Sequence, residues 1–156
     1  MVKTPPSDIF TSSSFSRFSD GDPADIVYFA NHSMYFDEAF ILMSQQQNYS
    51  WKDRKEIYLI PIVEQNTNFK YPLAVNQKFI ISTAITHIGS RSFRSNHAIY
   101  TDIDGNYKLI SYGYLNRVSV DAKSFKPIEV PAELKLILQN YHITSEKWDN
   151  FISQFL

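Results

Sequence analysis

Residues 29–46 read Phe-Ala-Asn-His-Ser-Met-Tyr-Phe-Asp-Glu-Ala-Phe-Ile-Leu-Met-Ser-Gln-Gln, and this stretch decides how the rest of the chain is arranged. Its apolar side chains recur at the three- and four-residue spacing of an α-helix, which predicts one helix over the whole stretch. The residues on the predicted face are Phe29, Ser33, Phe36, Phe40 and Met43, broadened by Tyr35, Ala39 and Leu42. A helix that is apolar over so much of its circumference is expected to be enclosed by other elements.

Five other stretches favour β-strands, one before the helix and four after it. Their ranges are 9–18, 56–70, 77–88, 92–103 and 107–120. The third shows the pattern best, because Phe79, Ile81 and Ile85 lie at the period of two that a pleated strand requires. The last two are joined by Asp104-Gly105-Asn106, whose Asp-Gly step favours the positive φ angles of a tight hairpin. We expect the last four strands to form an antiparallel meander with short connections.

The order of strand, long helix and four strands predicts an α+β protein with the hot-dog fold, in which a curved antiparallel sheet of about five strands wraps around a central helix. Residues 127–139 become a short helix, and an extra C-terminal helix is predicted at about 144–156. The apolar stripe of that last helix is expected to pack on the body or on a partner. We predict a single domain over residues 1–156 with its core at about 8–136. The side chains expected to be largely buried are Phe36, Phe40, Met43, Ile81, Ile85 and Leu115.

The composition excludes several classes of protein. The 156 residues, 44% hydrophobic and 20% charged, suffice for one packed domain and exclude global disorder. Lys and Arg number 15 against 16 Asp and Glu, so the basic excess of a nucleic-acid-binding protein is missing. The absence of cysteine excludes disulfides, thiolate zinc sites and a cysteine nucleophile. No His and carboxylate residues show metal-ligand spacing, and we expect neither a metal nor another cofactor.

Two features of the sequence bear on where the protein is located: its first residues and the length of its apolar runs. Residues 1–7 hold one Lys followed by Pro5 and Pro6, with no apolar run behind them, so no signal peptide is expected. No apolar stretch approaches the roughly 20 residues that cross a bilayer. We therefore expect a soluble, cytoplasmic protein with no membrane and no nucleic-acid partner.

The segment directly before the helix is the best candidate for chemistry. Residues 18–31 read Phe-Ser-Asp-Gly-Asp-Pro-Ala-Asp-Ile-Val-Tyr-Phe-Ala-Asn. A helix N-terminus presents unpaired backbone N–H groups and a partial positive charge, which polarise a carbonyl oxygen. A carboxylate beside it can act as a base or a nucleophile. From the residues alone, a turn with helix capping at Asp22-Pro23 is the commoner arrangement, and both interpretations stay open.

The pattern Asp20-x-Asp22-Pro23-Ala24-x-Ile26-Val27-Tyr28-Phe29-x-Asn31 resembles the signature of 4-hydroxybenzoyl-CoA thioesterase-like hot-dog proteins. Ile60-Pro61-Ile62-Val63, followed by Phe69, resembles the second strand of that family. Ser90-Arg91-Ser92-Phe93 resembles the strand start that meets coenzyme A. Residues 117–121, 126–128 and 130–134 resemble the closing strand and C-terminal turn, so the likeness covers roughly residues 15–136.

The resemblance implies an acyl-CoA thioesterase, which hydrolyses a thioester of coenzyme A or of an acyl carrier protein. It implies Asp22 as the catalytic carboxylate and, seven residues later, the backbone amide of Phe29 as the group that holds the thioester carbonyl. It also implies a homodimer or homotetramer, with active sites near an interface where two sheets join edge to edge. The candidate substrate-binding residues are Tyr28, His32, Pro61, Arg91 and Ser92.

One position departs from the family pattern, because Asp25 stands where the family usually has Gly. Gly suits a backbone with positive φ, which Asp tolerates better than most residues. Asp25 also brings a second negative charge, which would make Asp22 harder to ionise if the two carboxylates are close. We expect Asn variants of Asp20 and Asp25 to lose far less activity than Asp22→Asn.

The remaining polar candidates each have a structural alternative. Arg91 suits the phosphates of coenzyme A but equally an exposed strand start, and Arg94 is a secondary candidate. A hydrogen-bonded or buried histidine is the commoner role for His32 and His97. Ser19 lies near the Asp residues, but no G-x-S-x-G elbow surrounds any serine, which argues against a serine hydrolase.

Two other functions remain open at this point. A hot-dog hydratase or dehydratase needs a catalytic His on the helix side, for which His32 is the candidate. A non-catalytic acyl-binding or assembly protein would keep the fold without the chemistry, as the Asp25 substitution suggests.

Overall fold

The computed structural model describes residues 8–156, and the part of the predicted domain over residues 1–7 lies outside them. A short 3-10 helix at Phe18–Asp20 follows the first strand. The other elements, in chain order, are β1 Phe10–Phe15, α1 Asn31–Gln45, β2 Tyr58–Leu59, β3 Ile62–Phe69, β4 Lys78–Ile88, β5 Ser92–Ile103, β6 Asn106–Val118, β7 Val120–Asp121, α2 Ala132–Asn140 and α3 Ser145–Ser153.

The main sheet has five antiparallel strands in the order β1-β4-β5-β6-β3, and their number agrees with the predicted sheet of about five strands. Its order corrects the predicted four-strand meander. Strands β4, β5 and β6 do follow one another, but β3 pairs with β6 instead of β4. The reason is that β1 already occupies the other edge of β4, from Phe10 opposite Thr83 to Phe15 opposite Lys78. The edge of β6 is the place left for β3.

Two predicted strands are each divided into two shorter ones. The stretch 56–70 breaks at residues 60–61, where Pro61 has no backbone N–H for a strand ladder. In the stretch 107–120, the long strand β6 ends at Val118, and the short strand β7 begins at Val120. The fragments β2 and β7 then pair with each other as a separate two-stranded sheet. The hairpin between β5 and β6 is as predicted, because Asp104 and Gly105 both have positive φ, 54° and 80°.

Helix α1 packs on one face of the main sheet and its apolar side chains form the core. All six side chains expected to be buried are buried, and Phe36, Phe40 and Leu115 are fully covered. The prediction is wrong for Phe29, which precedes the helix and is 61% exposed, and for Leu42, which lies on the open side of the helix. The sheet therefore covers most of the apolar surface of α1 but leaves one side of the helix accessible.

Helix α3 covers part of the opposite face of the sheet. Trp148, Phe151 and Ile152 are buried there against Ala84 and Tyr100. Because side chains alternate along a strand, Ala84 faces away from Ile85, which contacts the α1 side. The C-terminal stripe thus packs on the body of its own chain. None of the helices within residues 8–156 is long and apolar enough to cross a membrane.

Candidate active site

The loop that joins β1 to α1 contains a short antiparallel ladder that ends in a tight turn, and Asp22 is the first residue of that turn. Gly21 and Val27 form an antiparallel bridge at its base. Beyond it, the Asp22 N–H donates to the Ile26 carbonyl at 2.8 Å, and the Asp25 N–H donates to the Asp22 carbonyl at 3.1 Å. This tight turn forces Asp25 to a φ of 60°, the left-handed conformation expected from the Gly that it replaces.

The Asp22 carboxylate is held by one oxygen only. Its Oδ1 accepts a hydrogen bond from the Ala24 backbone N–H at 2.7 Å, which is the turn contact that Asp makes with its own backbone two residues on. Its Oδ2 has no hydrogen-bond partner among residues 8–156, and the residue is partly exposed. The turn interpretation is therefore correct for one oxygen, while the other oxygen is available for chemistry.

Phe29 lies two residues before the first residue of α1 and supplies a backbone donor. Its carbonyl accepts the His32 N–H at 3.3 Å, but its own N–H has no acceptor in the described part of the chain. The donor lies at the positive end of the helix dipole. The Phe29 ring has no hydrogen-bond donor, so the backbone N–H is the group of this residue that can bind a carbonyl oxygen.

Asp22 and Phe29 line the same cavity, which has a volume of about 560 Å³. Most of its wall is apolar, and four aromatic side chains around it are each about half exposed: Tyr28, Phe29, Phe69 and Tyr71. Clustered exposed aromatic rings are uncommon on a protein surface without a binding role. The remaining lining residues are Asp22, Pro23, Ile26, Val27, His32, Lys70 and Pro72. Asp25 is exposed and does not belong to this wall.

His32 borders the cavity but is itself buried. Its Nδ1 lies 2.8 Å from the Ser111 hydroxyl, and its ring meets Phe69 edge to face at 5.0 Å. Burial lowers the pKa of His32 to about 4, so the ring is neutral at physiological pH. The expectation of a hydrogen-bonded, buried histidine is correct, and His32 still forms part of the wall.

Asp20 is buried beneath the loop, with an exposed fraction of 8%. Its Oδ2 accepts hydrogen bonds from Tyr35 at 2.6 Å and from Arg17 at 2.9 Å. Its backbone carbonyl accepts from the Tyr28 N–H and from the Asn31 side chain. The expectation that Asp20 tolerates substitution does not take account of these contacts.

Three candidate substrate-binding residues lie away from this cavity. Pro61 lines a separate cavity of about 350 Å³ beside Trp51. Ser92 opens β5, and the exposed Arg91 precedes it. Ser92 is level with Val118, near the start of β3, whereas the Asp22 cavity lies at the Phe69 end of β3. At about 3.3 Å per residue, the length of β3 separates the two positions by on the order of 20 Å.

The secondary candidates have structural roles. Arg94 donates to the Asn116 side chain at 2.8 Å and lies over the Tyr114 ring. His97 is fully buried between Thr83 and Ser95, and burial lowers its pKa well below the usual range. Ser19 lies within the short 3-10 helix, and it does not line the cavity.

The sequence interpretation missed part of the site. The sequence pattern indicates only a strand residue at Phe69 and only a turn at Tyr71-Pro72, yet all three residues line the cavity. It also missed an ion pair between the buried Arg117 on β6 and the half-exposed Asp37 on α1. These contacts join distant segments, so no local spacing indicates them. Within residues 8–156 no group of three or more His, Cys, Asp or Glu side chains is arranged to hold a metal ion.

Comparison with known proteins places most of the chain in one family. A sequence model described as the thioesterase-like superfamily matches residues 16–138. A 1,4-dihydroxy-2-naphthoyl-CoA hydrolase of Nostoc punctiforme is 28% identical over 127 residues, which cover 80% of this chain and 83% of that protein.

Two solved structures show the same fold at low sequence identity. A 1,4-dihydroxy-2-naphthoyl-CoA thioesterase from Synechocystis superposes with a TM-score of 0.76 at 17% identity, over 84% of this chain and 96% of that one. A mutant 4-hydroxybenzoyl CoA thioesterase, in complex with 4-hydroxybenzoyl CoA, gives 0.75 at 24% identity, over 85% and 99%. The predicted α+β hot-dog fold is confirmed.

Proposed function

The chain belongs to the thioesterase-like superfamily, and on that premise we propose that it hydrolyses the thioester bond of an acyl-CoA to a free acid and coenzyme A thiol. One observation carries the proposal: Asp22, whose Oδ2 has no hydrogen-bond partner among residues 8–156, and Phe29, whose N–H has none there, line the same cavity. A carboxylate and an oxyanion donor are the two groups that thioester hydrolysis needs.

The roles of the two groups follow from their chemistry. The Phe29 N–H donates to the thioester carbonyl oxygen, and this hydrogen bond strengthens as negative charge develops on that oxygen. Asp22 acts on the carbon of the same carbonyl. The C–S bond breaks, the sulfur leaves as the thiolate of coenzyme A and takes up a proton, and the acyl group leaves as the carboxylic acid.

Asp22 can act by either of two routes. As a nucleophile, its Oδ2 forms an acyl-aspartyl anhydride that water then hydrolyses. As a general base, it removes a proton from a water molecule that attacks the carbon directly. When hydrolysis of the anhydride is the slow step, the first route releases one equivalent of coenzyme A in a burst before steady turnover, whereas water attack forms no acyl-enzyme that could give such a burst.

The aromatic residues of the cavity wall favour an aromatic acyl group as the first substrate to test. Tyr28, Phe69 and Tyr71 offer ring faces and edges against which a planar acyl group packs well. The relatives compared above are named for hydroxylated aromatic acyl-CoA substrates. An acyl group carried by a carrier protein is the alternative form of the same substrate.

We also propose that coenzyme A reaches the residues at the far end of the sheet. Arg91 and Ser92 lie at the opposite end of the strands from Asp22 within one chain. An edge-to-edge dimer through β3 reverses the strand direction, which would bring the corresponding end of the partner sheet toward Phe69. In that arrangement Arg91 of the partner subunit contacts the phosphates while Asp22 acts on the thioester.

Release of free thiol from a panel of aromatic and fatty acyl-CoA thioesters tests the function. We expect turnover of at least one of them, and Asp22→Asn should lower kcat by about 100- to 10,000-fold because the base or nucleophile is lost. The matched control is Asp25→Asn, which removes a carboxylate from the same turn but outside the cavity wall.

Three results would contradict the proposal. Near-full kcat in folded Asp22→Asn protein would show that Asp22 only shapes the turn. A hydrated product in place of free thiol would indicate a hydratase. Thermal stabilisation by acyl-CoA without turnover would indicate a non-catalytic acyl-binding protein.

A further inference from the structure

Asp20 forms the base of the loop that carries the two proposed catalytic groups. Only Gly21 separates it from Asp22, and its carbonyl accepts the Tyr28 N–H at 2.8 Å, one residue before Phe29. The same carbonyl accepts the Asn31 side-chain amide at 2.9 Å, at the first residue of α1. The position of Asp20 therefore sets both ends of the loop at once.

The Asp20 carboxylate fastens this loop base to the helix. The hydroxyl of Tyr35, on the second turn of α1, donates to Oδ2 at 2.6 Å, and Arg17 Nε donates to the same oxygen at 2.9 Å. Arg17 also pairs with Glu38 on α1 at 3.0 Å. Tyr35 is 2% exposed, and burial together with the Asp20 carboxylate raises its pKa, so the hydroxyl stays protonated and donates.

Asp20 does not line the cavity, so it has no direct contact with a substrate bound there. We propose that Asp20 is a positioning residue for the proposed thioester hydrolysis, fixing Asp22 and the Phe29 N–H relative to each other through Arg17 and Tyr35. The proposal rests on the proposed function. A carboxylate and an oxyanion donor act together only when both reach the same carbonyl group, and a displacement of about 1 Å costs up to about 100-fold in rate.

The test uses Tyr35→Phe and Asp20→Asn, each alone and combined with Asp22→Asn. Tyr35→Phe removes one hydroxyl from the cluster and keeps the ring in the core. Both single variants should lower kcat by up to about 100-fold with little change in KM, because the substrate-binding wall is untouched. The control is Thr144→Ala, which removes the hydroxyl that caps α3 on the far side of the sheet and should leave kcat unchanged at similar loss of stability.

The combination with Asp22→Asn separates positioning from general structural damage. If Asp20 acts by positioning Asp22 against the Phe29 N–H, the Asp20 and Tyr35 variants should cause a much smaller fall in kcat once Asp22 is Asn, because only the Phe29 donor is then left to misplace. Equal losses in both backgrounds, or a loss confined to KM, would overturn the positioning role. Failure of the proposed function has a different signature, because the parent chain would then show no turnover of acyl-CoA, or Asp22→Asn alone would keep the full kcat. Should Asp20→Asn not fold, Tyr35→Phe decides the question by itself.

Discussion

At the residue scale, Asp25 occupies a backbone conformation that favours glycine. Its φ of 60° closes the turn that presents Asp22. We expect Asp25→Gly to keep or raise both stability and turnover, since Gly removes the steric cost of this conformation. We expect Asp25→Val to lower the free energy of unfolding by about 1–2 kcal/mol, because a β-branched side chain clashes with the backbone there.

Urea unfolding of the two Asp25 variants and the parent chain checks this order. A Val variant as stable as the parent would show that the turn relaxes and that the left-handed conformation is not required. Comparison of their kcat values then reports whether the geometry of the turn matters for the Asp22 carboxylate.

His32 makes stability depend on pH below neutrality. Its pKa is about 4 in the folded chain because burial disfavours the charged ring, against about 6.5 when unfolded. As pH falls from 6.5 to 4, the unfolded state takes up a proton that the folded state does not. The stability present above pH 6.5 is therefore lost across this window, by up to about 3 kcal/mol.

Unfolding by urea at a series of pH values between 7 and 4.5 measures this loss. His32→Gln should show a shallower pH dependence, with the remaining slope due in part to buried His97, whose pKa is also lowered by burial. An unchanged slope in His32→Gln would mean that His32 is not the group that titrates. A pH–rate profile of the enzyme should likewise show no inflection from His32 near pH 6.5.

At the scale of elements, β3 depends on one close approach to β6. Gly113 lies opposite Thr67, and a Cβ added to it would stand 1.8 Å from the Asn66 carbonyl oxygen. Gly113→Ala must therefore push the two strands apart. We expect a loss of about 1–3 kcal/mol of stability or more, with β3 and the Phe69 wall of the cavity affected first.

Gly105→Ala is the matched control, since a Cβ there meets no atom within 4 Å and only the positive φ opposes it. Thermal unfolding of the two variants should rank Gly113→Ala as the more damaging. Hydrogen exchange should show that Gly113→Ala exposes the amides of β3 before those of β4 and β5. Equal protection of all strands would contradict the local mechanism.

At the scale of the whole molecule, β3 leaves one edge of the sheet open. Among the described residues it pairs only with β6, and Ile62, Val63 and Phe69 are 42%, 59% and 49% exposed along it. An unpaired edge with apolar side chains favours pairing with another strand. We predict a homodimer at least, joined through β3 by a two-fold axis, which would also cover the Phe69 side of the cavity.

Sedimentation at micromolar concentration tests this assembly, and a species near the 18.1 kDa of one chain would count against it. Val63→Lys should weaken the dimer because two-fold pairing sets like charges near each other on the edge. Ser13→Lys places the same charge on β1, the opposite edge of the sheet, and should leave the dimer intact. Activity should fall on dilution together with the dimer.

The sequence alone determined the features that depend on local backbone geometry. The periods of two and 3.6 located the strands and α1, and the Asp-Gly step located the hairpin. The left-handed conformation at Asp25 was indicated only by the resemblance, because the family usually has Gly there. Asp22 and Phe29 could be brought together from the sequence because they belong to one loop. The resemblance to a known family supplied their roles as expectations.

Only the tertiary structure decided which distant segments meet. Strand β3 joins β6 because β1 occupies the edge of β4, a competition that no single strand encodes. Phe69 and Tyr71 enter the wall of the cavity because of that pairing, and Arg91 lies at the far end for the same reason. In the sequence, Asp20 is only a residue close to Asp22. In the structure it is buried and accepts a hydrogen bond from Tyr35, because α1 packs against the loop. Side-chain periodicity encodes which face of an element is apolar, whereas pairing and burial depend on every other element competing for the same surface.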